Sequence, residues 1–155
     1  MDENNRASAS LYGAELEARY AVSKSLTLLG NYTYQQFDWD SIARVNEKEI
    51  MSPPRHKFMV GARYSPIKDL HLSSHLYYVD AVTAPNPANP FIPRDIDPYF
   101  RLDLLAEYEF WDNRAAISVG VKNLLDSNHY EGGTLFLNDA EVPRMIYAQL
   151  RLSFK

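Results

Sequence analysis

The stretch RMIYAQLRLSF, from Arg144 to Phe154, alternates without a break. Ile146, Ala148, Leu150, Leu152 and Phe154 are apolar, and Tyr147, Gln149, Arg151 and Ser153 between them are polar or amphipathic. A period of two with no Gly or Pro inside it marks a β-strand with one apolar and one polar face. About ten such residues is also the length a tilted strand needs to cross a bilayer. The fold turns on whether the apolar face looks into a protein core or out at lipid.

Upstream, six more segments repeat the pattern. Tyr99 to Trp111 sets Leu102, Leu104, Ala106, Tyr108 and Phe110 against Arg101, Asp103, Glu107 and Glu109, and Arg114 to Lys122 sets Ile117, Val119 and Val121 against Ala116, Ser118, Gly120 and Lys122. Leu11 to Tyr20, Leu26 to Gln36, His56 to Tyr64 and Leu70 to Val79 alternate likewise. Ala14-Glu15-Leu16-Glu17-Ala18-Arg19 are good helix formers, but their alternation and the neighbouring strand outweigh that preference. Ala21 to Ser25, Ser65 to Asp69 and Asp112-Asn113 are short turns. Phe37 to Arg55, Asp80 to Pro98 and Asp126 to Pro143 are long connections. The second carries Pro85, Pro87, Pro90 and Pro93 and is expected to hold no regular structure.

Composition narrows the class. With 155 residues the chain is one domain's worth, and its 11 Tyr and 7 Phe favour strands. A net charge of −4 with mixed signs carries no nucleic-acid footprint. The lack of cysteine excludes a disulfide framework and Cys-based metal sites. There is no apolar run long enough for a transmembrane helix. Met1-Asp2-Glu3-Asn4-Asn5 has no apolar signal-peptide core, so an exported protein of this sequence is expected to be a mature piece or a fragment.

Two regularities decide between core and lipid. Connections alternate short and long, so antiparallel strands gather every short turn at one end and every long loop at the other, as outer-membrane barrels do. Aromatics on the apolar face also sort by height: Tyr12, Tyr32, Tyr34, Phe58 and Tyr78 at the long-loop ends, and Tyr20, Tyr64, Tyr108, Phe110 and Phe154 at the short-turn ends. Tyr12 to Tyr20 spans roughly 26 Å along a strand. At ~40° tilt that projects to roughly 20 Å, near the ~25 Å apolar band between two aromatic girdles. The expected fold is therefore all-β, an antiparallel transmembrane β-barrel segment of about seven strands with short periplasmic turns and long extracellular loops.

Four local motifs carry a family resemblance. Pro54-Arg55-His56-Lys57 resembles a P-x-H-K strand start, and Tyr99-Phe100-Arg101-Leu102-Asp103 a Y-x-x-x-D strand start. Val121-Lys122-Asn123-Leu124-Leu125-Asp126 resembles V-x-N-L-x-D, and Pro143-Arg144 before the last strand resembles a closing P-R and assembly signal. In this order, over about residues 10–155, they resemble the C-terminal barrel segment of a TonB-dependent outer-membrane receptor of the siderophore type. Two departures stand out: the terminal aromatic Phe154 is followed by Lys155, and seven strands stand where the family has twenty-two plus an N-terminal plug.

The resemblance implies residence in the outer membrane of a Gram-negative bacterium, with outer-membrane lipid as surroundings. It implies uptake of a ferric siderophore or similar nutrient, energised by the TonB complex through a plug that residues 1–155 do not include. The ligand-binding candidates it implies, inward-facing near the extracellular rim, are Gln35, Lys57, Tyr77, Arg101, Lys122 and Tyr147. The alternative is a small eight-stranded outer-membrane barrel with a structural or adhesive role, its eighth strand hidden in Met1 to Ser10. No catalytic constellation, cofactor or metal site is expected. His71 and His75 share the polar face, where lumen-lining is the simpler role than metal binding. His129, Glu131, Asp139 and Glu141 read as a solvated loop. An enzyme working at the outer surface needs catalytic groups among the outward positions, and the alternation places no His there.

Overall fold

Alternation becomes pairing. The computed structural model describes residues 9–39, 53–84, 94–126 and 141–154. Its strands are β1 (Ala9–Ala21), β2 (Leu26–Trp39), β3 (His56–Tyr64), β4 (Leu70–Val79), β5 (Val82–Ala84), β6 (Arg94–Ile96), β7 (Tyr99–Phe110), β8 (Ala115–Lys122) and β9 (Met145–Leu152). Seven of them form one antiparallel sheet in the order β1-β2-β3-β4-β7-β8-β9, and β5 pairs only with β6. Short turns join β1 to β2, β3 to β4 and β7 to β8; β5 follows β4 and β7 follows β6 after two residues each, and long connections separate β2 from β3, β5 from β6 and β8 from β9.

Register puts like with like. Tyr32 stands opposite Phe58, Phe58 opposite Tyr78, and Tyr78 opposite Phe100. Because the side-chain period is two, a slip of one residue would mix apolar and charged positions across the sheet. Instead every charged side chain of the seven strands except Asp38 shares one face.

Burial then answers the question left by the alternation. On β8, Ile117 and Val119 are 48 % and 50 % exposed, while Ala116 and Ser118 between them are 2 % and 6 % exposed. From Asp103 to Phe110 on β7 the exposed residues are Leu104, Ala106, Tyr108 and Phe110, and the half-buried ones are Asp103, Leu105, Glu107 and Glu109. A soluble sheet hides its apolar face, because removing that face from water stabilises the fold. On these two strands the polar face is the covered one, and the apolar face is left for a solvent that is itself apolar. This is the wall of a transmembrane β-barrel, and among the described residues no helix is long and apolar enough to cross a membrane.

Three sequence expectations need correction. Phe37, Asp38 and Trp39 belong to β2 rather than to the long connection, since Ala9 pairs with Trp39 and the Tyr12 hydroxyl donates to Asp38 at 2.9 Å. The Asp80–Pro98 connection does contain regular structure. All four prolines of its Pro-rich core fall between β5 and β6, so neither strand loses a backbone donor, and Thr83 donates across to Asp95 at 2.9 Å. Finally, an outward histidine exists. His56 lies opposite Tyr34 on the apolar face, its ring 6.1 Å from Tyr32 and 5.3 Å from Tyr34, and its Nδ1 is 2.8 Å from the Tyr32 hydroxyl. It belongs to the aromatic girdle at the long-loop end. His129, Glu131, Asp139 and Lys155 lie outside the described residues.

Candidate functional site: the inner wall

The inner wall carries the charges, and those of β7 and β9 answer one another. Near the short-turn end, Arg151 reaches Glu107 at 3.5 Å and Glu109 at 3.2 Å. The Glu109–Arg151 bridge crosses directly over Ala116, which the register places between them, and that is why this alanine is buried. His71 Nε2 lies 3.9 Å from Glu109, and its Nδ1 is 2.8 Å from the Ser65 hydroxyl. His75 instead stacks on Tyr77 at 6.3 Å, so the two histidines serve different partners. Ion pairs in such open water-filled surroundings contribute only about 0–1 kcal/mol each. They arrange the wall more than they hold it.

Three of the sequence motifs converge on one junction. Asn123 adopts a left-handed backbone (φ 52°), a conformation Asn tolerates better than most residues. Its backbone N–H donates to Asp103 at 3.0 Å, and its side-chain amide donates to the Val142 carbonyl at 2.9 Å. Asp126, also left-handed (φ 53°), accepts the Arg144 backbone N–H at 3.2 Å and pairs with its guanidinium at 3.4 Å. The Y-x-x-x-D aspartate, the V-x-N-L-x-D segment and the P-R pair thus close β7, β8 and β9 into one corner at the root of a long loop. Asn123 at its centre is 1 % exposed.

The six ligand-facing candidates do not form a single cluster. Tyr77 and Arg101 face each other across β4 and β7, with the guanidinium 4.6 Å from the ring centroid, and Arg101 also lies 3.4 Å from Asp103. Lys122 and Tyr147 line a shared hollow with Arg63, Ser73, His75 and Asp103. Lys57 stands between Thr33 and Val79, apart from these four. Gln35 sits deeper than expected because β2 runs on to Trp39, and its side chain donates to the Pro54 carbonyl at 2.9 Å, tying the incoming loop to the wall. The sequence reading left Arg63, His75 and Asp103 out of the candidates. Strand direction alone ranks residues by height on their own strand; only the register reveals which neighbours share a row.

A family model described as TonB dependent receptor-like, beta-barrel, matches residues 3–124. The structure is similar to the ferripyoverdine receptor of the outer membrane of Pseudomonas aeruginosa bound to ferripyoverdine, at 20 % identity and TM-score 0.70, covering 94 % of this chain and 20 % of that one. It is likewise similar to the ferric-catecholate import receptor Fiu from E. coli in its closed form, at 17 % identity and TM-score 0.73, covering 92 % and 20 %. The siderophore receptor PiuA from Acinetobacter baumannii matches at 15 % identity and TM-score 0.66, covering 92 % and 21 %. The chain therefore spans about a fifth of the length of each of these structures.

Proposed function

We infer a part in nutrient uptake from a family membership: the chain belongs to the TonB-dependent receptor β-barrels, and its place is the outer membrane of a Gram-negative bacterium. It supplies the C-terminal part of the barrel wall of a receptor that imports a ferric siderophore or a similar chelate. Import is driven by the TonB complex acting on a plug domain contributed from outside residues 1–155. The observation that carries this reading is the inside-out sheet, apolar toward lipid and charged toward the lumen. Support also comes from the ferripyoverdine and ferric-catecholate receptors it resembles in fold. On the inner wall, Tyr77 and Arg101 are the pair best suited to an anionic, oxygen-rich chelate, an aromatic face beside a guanidinium within two residues of the strand ends.

The test is radioiron uptake by the complete gene product in a Gram-negative strain stripped of its own siderophore receptors, with ferripyoverdine and a ferric catecholate as probes. TonB-dependent uptake of either is the expected result. Arg101→Ala is expected to weaken the apparent affinity about tenfold, from the roughly 1.5 kcal/mol at the low end for a hydrogen bond to a charged group, with the barrel still heat-modifiable on a gel. A correctly assembled barrel that moves neither chelate contradicts the reading. Unchanged affinity in Arg101→Ala removes that residue from ligand binding.

A further inference from the structure

We propose that the hollow bounded by Arg63, His75, Lys122 and Tyr147 is a carboxylate-binding site, occupied by an acidic side chain on the polypeptide segment that fills the lumen of the assembled receptor. The inference rests on the receptor reading above. Shape comes from two glycines. Tyr147 lies flat over Gly120, where any Cβ would overlap its ring, and the His75 ring crosses Gly61, where a Cβ would stand 2.7 Å from His75 Cδ2. Rings pressed flat against the wall leave a depression between β3 and β9 with Leu105 in it, and ring edges and basic groups around it.

Charge comes from cations without local answers. Among the described residues neither Arg63 nor Lys122 has a carboxylate within ion-pair distance, whereas Arg151 has two. The one acid lining the hollow, Asp103, is engaged by Arg101 at 3.4 Å and by the Asn123 backbone N–H at 3.0 Å. The hollow therefore holds two positive charges and an imidazole against one carboxylate that is already engaged elsewhere, around space suited to one more anionic group. Its height favours a protein-borne anion. It lies on the short-turn side of Tyr77 and Arg101, and Arg63 is one residue from the end of β3. Exposed cations hold a freely diffusing carboxylate weakly. A carboxylate tethered inside the lumen meets them at a millimolar or higher effective concentration and covers them from water.

A water-soluble carbodiimide tests the contact. It activates a carboxylate as an O-acylisourea, the Lys122 amine attacks the acyl carbon, an amide forms and the urea departs. In outer membranes containing the complete gene product, peptide mapping is expected to find Lys122 joined to an Asp or Glu outside residues 1–155. Arg63→Glu is expected to reduce that product at least tenfold. Lys122→Arg, which keeps the charge but lacks the amine, is expected to abolish it while leaving a heat-modifiable barrel. Lys122 left unlinked in such a barrel, or joined only to residues of its own wall, overturns the proposal, as does a product formed only with added citrate, which would make the occupant a small anion. A gene product missing from the outer membrane defeats the receptor reading first, and this site with it.

Discussion

Asn123→Ala is expected to destabilise the barrel by about 2–4 kcal/mol, read as a lowered midpoint of heat-modifiable gel mobility. Two effects add. The buried side-chain donor to the half-buried Val142 carbonyl is lost, and leaving such an acceptor short of its partner costs about 1–2 kcal/mol. Alanine must also hold a φ of 52°, which costs an ordinary L-residue about 1–2 kcal/mol. Asn123→Gly separates the two, because glycine accepts the left-handed backbone and loses only the side-chain bond. The glycine variant should therefore fall between wild type and alanine. Equal and small losses in both variants would mean that this corner does not hold the three strands.

The second large effect is directional. Met59 and Val60 are neighbours in β3, one facing Tyr77 on the charged wall and the other opposite Leu76 on the apolar face, where it is 55 % exposed. Val60 lies between Phe58 and Tyr64, which belong to the two girdles, so it sits near the middle of the apolar band. A lysine at the bilayer midplane costs a transmembrane barrel about 2–4 kcal/mol. Val60→Lys should therefore reduce folded protein in the outer membrane severely. Met59→Lys, entering a wall that already carries Lys57 and Arg63, should cost less than about 1 kcal/mol. A soluble sheet with this face as its core would give the same order; what marks lipid is depth, because a lysine at an outward position near the interface costs only about 0–1 kcal/mol.

Much of this architecture was legible in the sequence, for physical reasons that differ from element to element. Strict alternation fixed the strands and their faces, and the alternation of short and long connections fixed their order, since neither depends on distant contacts. β2's extension to Trp39 escaped because Phe37-Asp38-Trp39 reads as polar connection until Ala9 and Tyr12 are seen to pair and bond with it. The β5–β6 hairpin escaped because prolines were weighed by number rather than position. His56 was missed as an outward residue because the alternation was counted from Phe58, although two residues earlier lies on the same face. For the inner wall, the sequence gives each residue's side and approximate height but not its row. Tyr77 and Arg101 meet because of register, and the same register leaves Gln35 holding a loop and Lys57 apart.

The central claim is that the apolar face of this sheet touches lipid and the charged face touches the lumen. Since residues 1–155 contain no cysteine, single cysteines can be placed in turn from Met145 to Leu152, spin-labelled in the outer membrane, and compared for access to oxygen and to a water-soluble nickel chelate. The structure predicts a period of two, with oxygen access greatest at Ile146, Ala148, Leu150 and Leu152 and nickel access greatest at Tyr147, Gln149 and Arg151. The same period in opposite phase, or nickel access at every position, would contradict it.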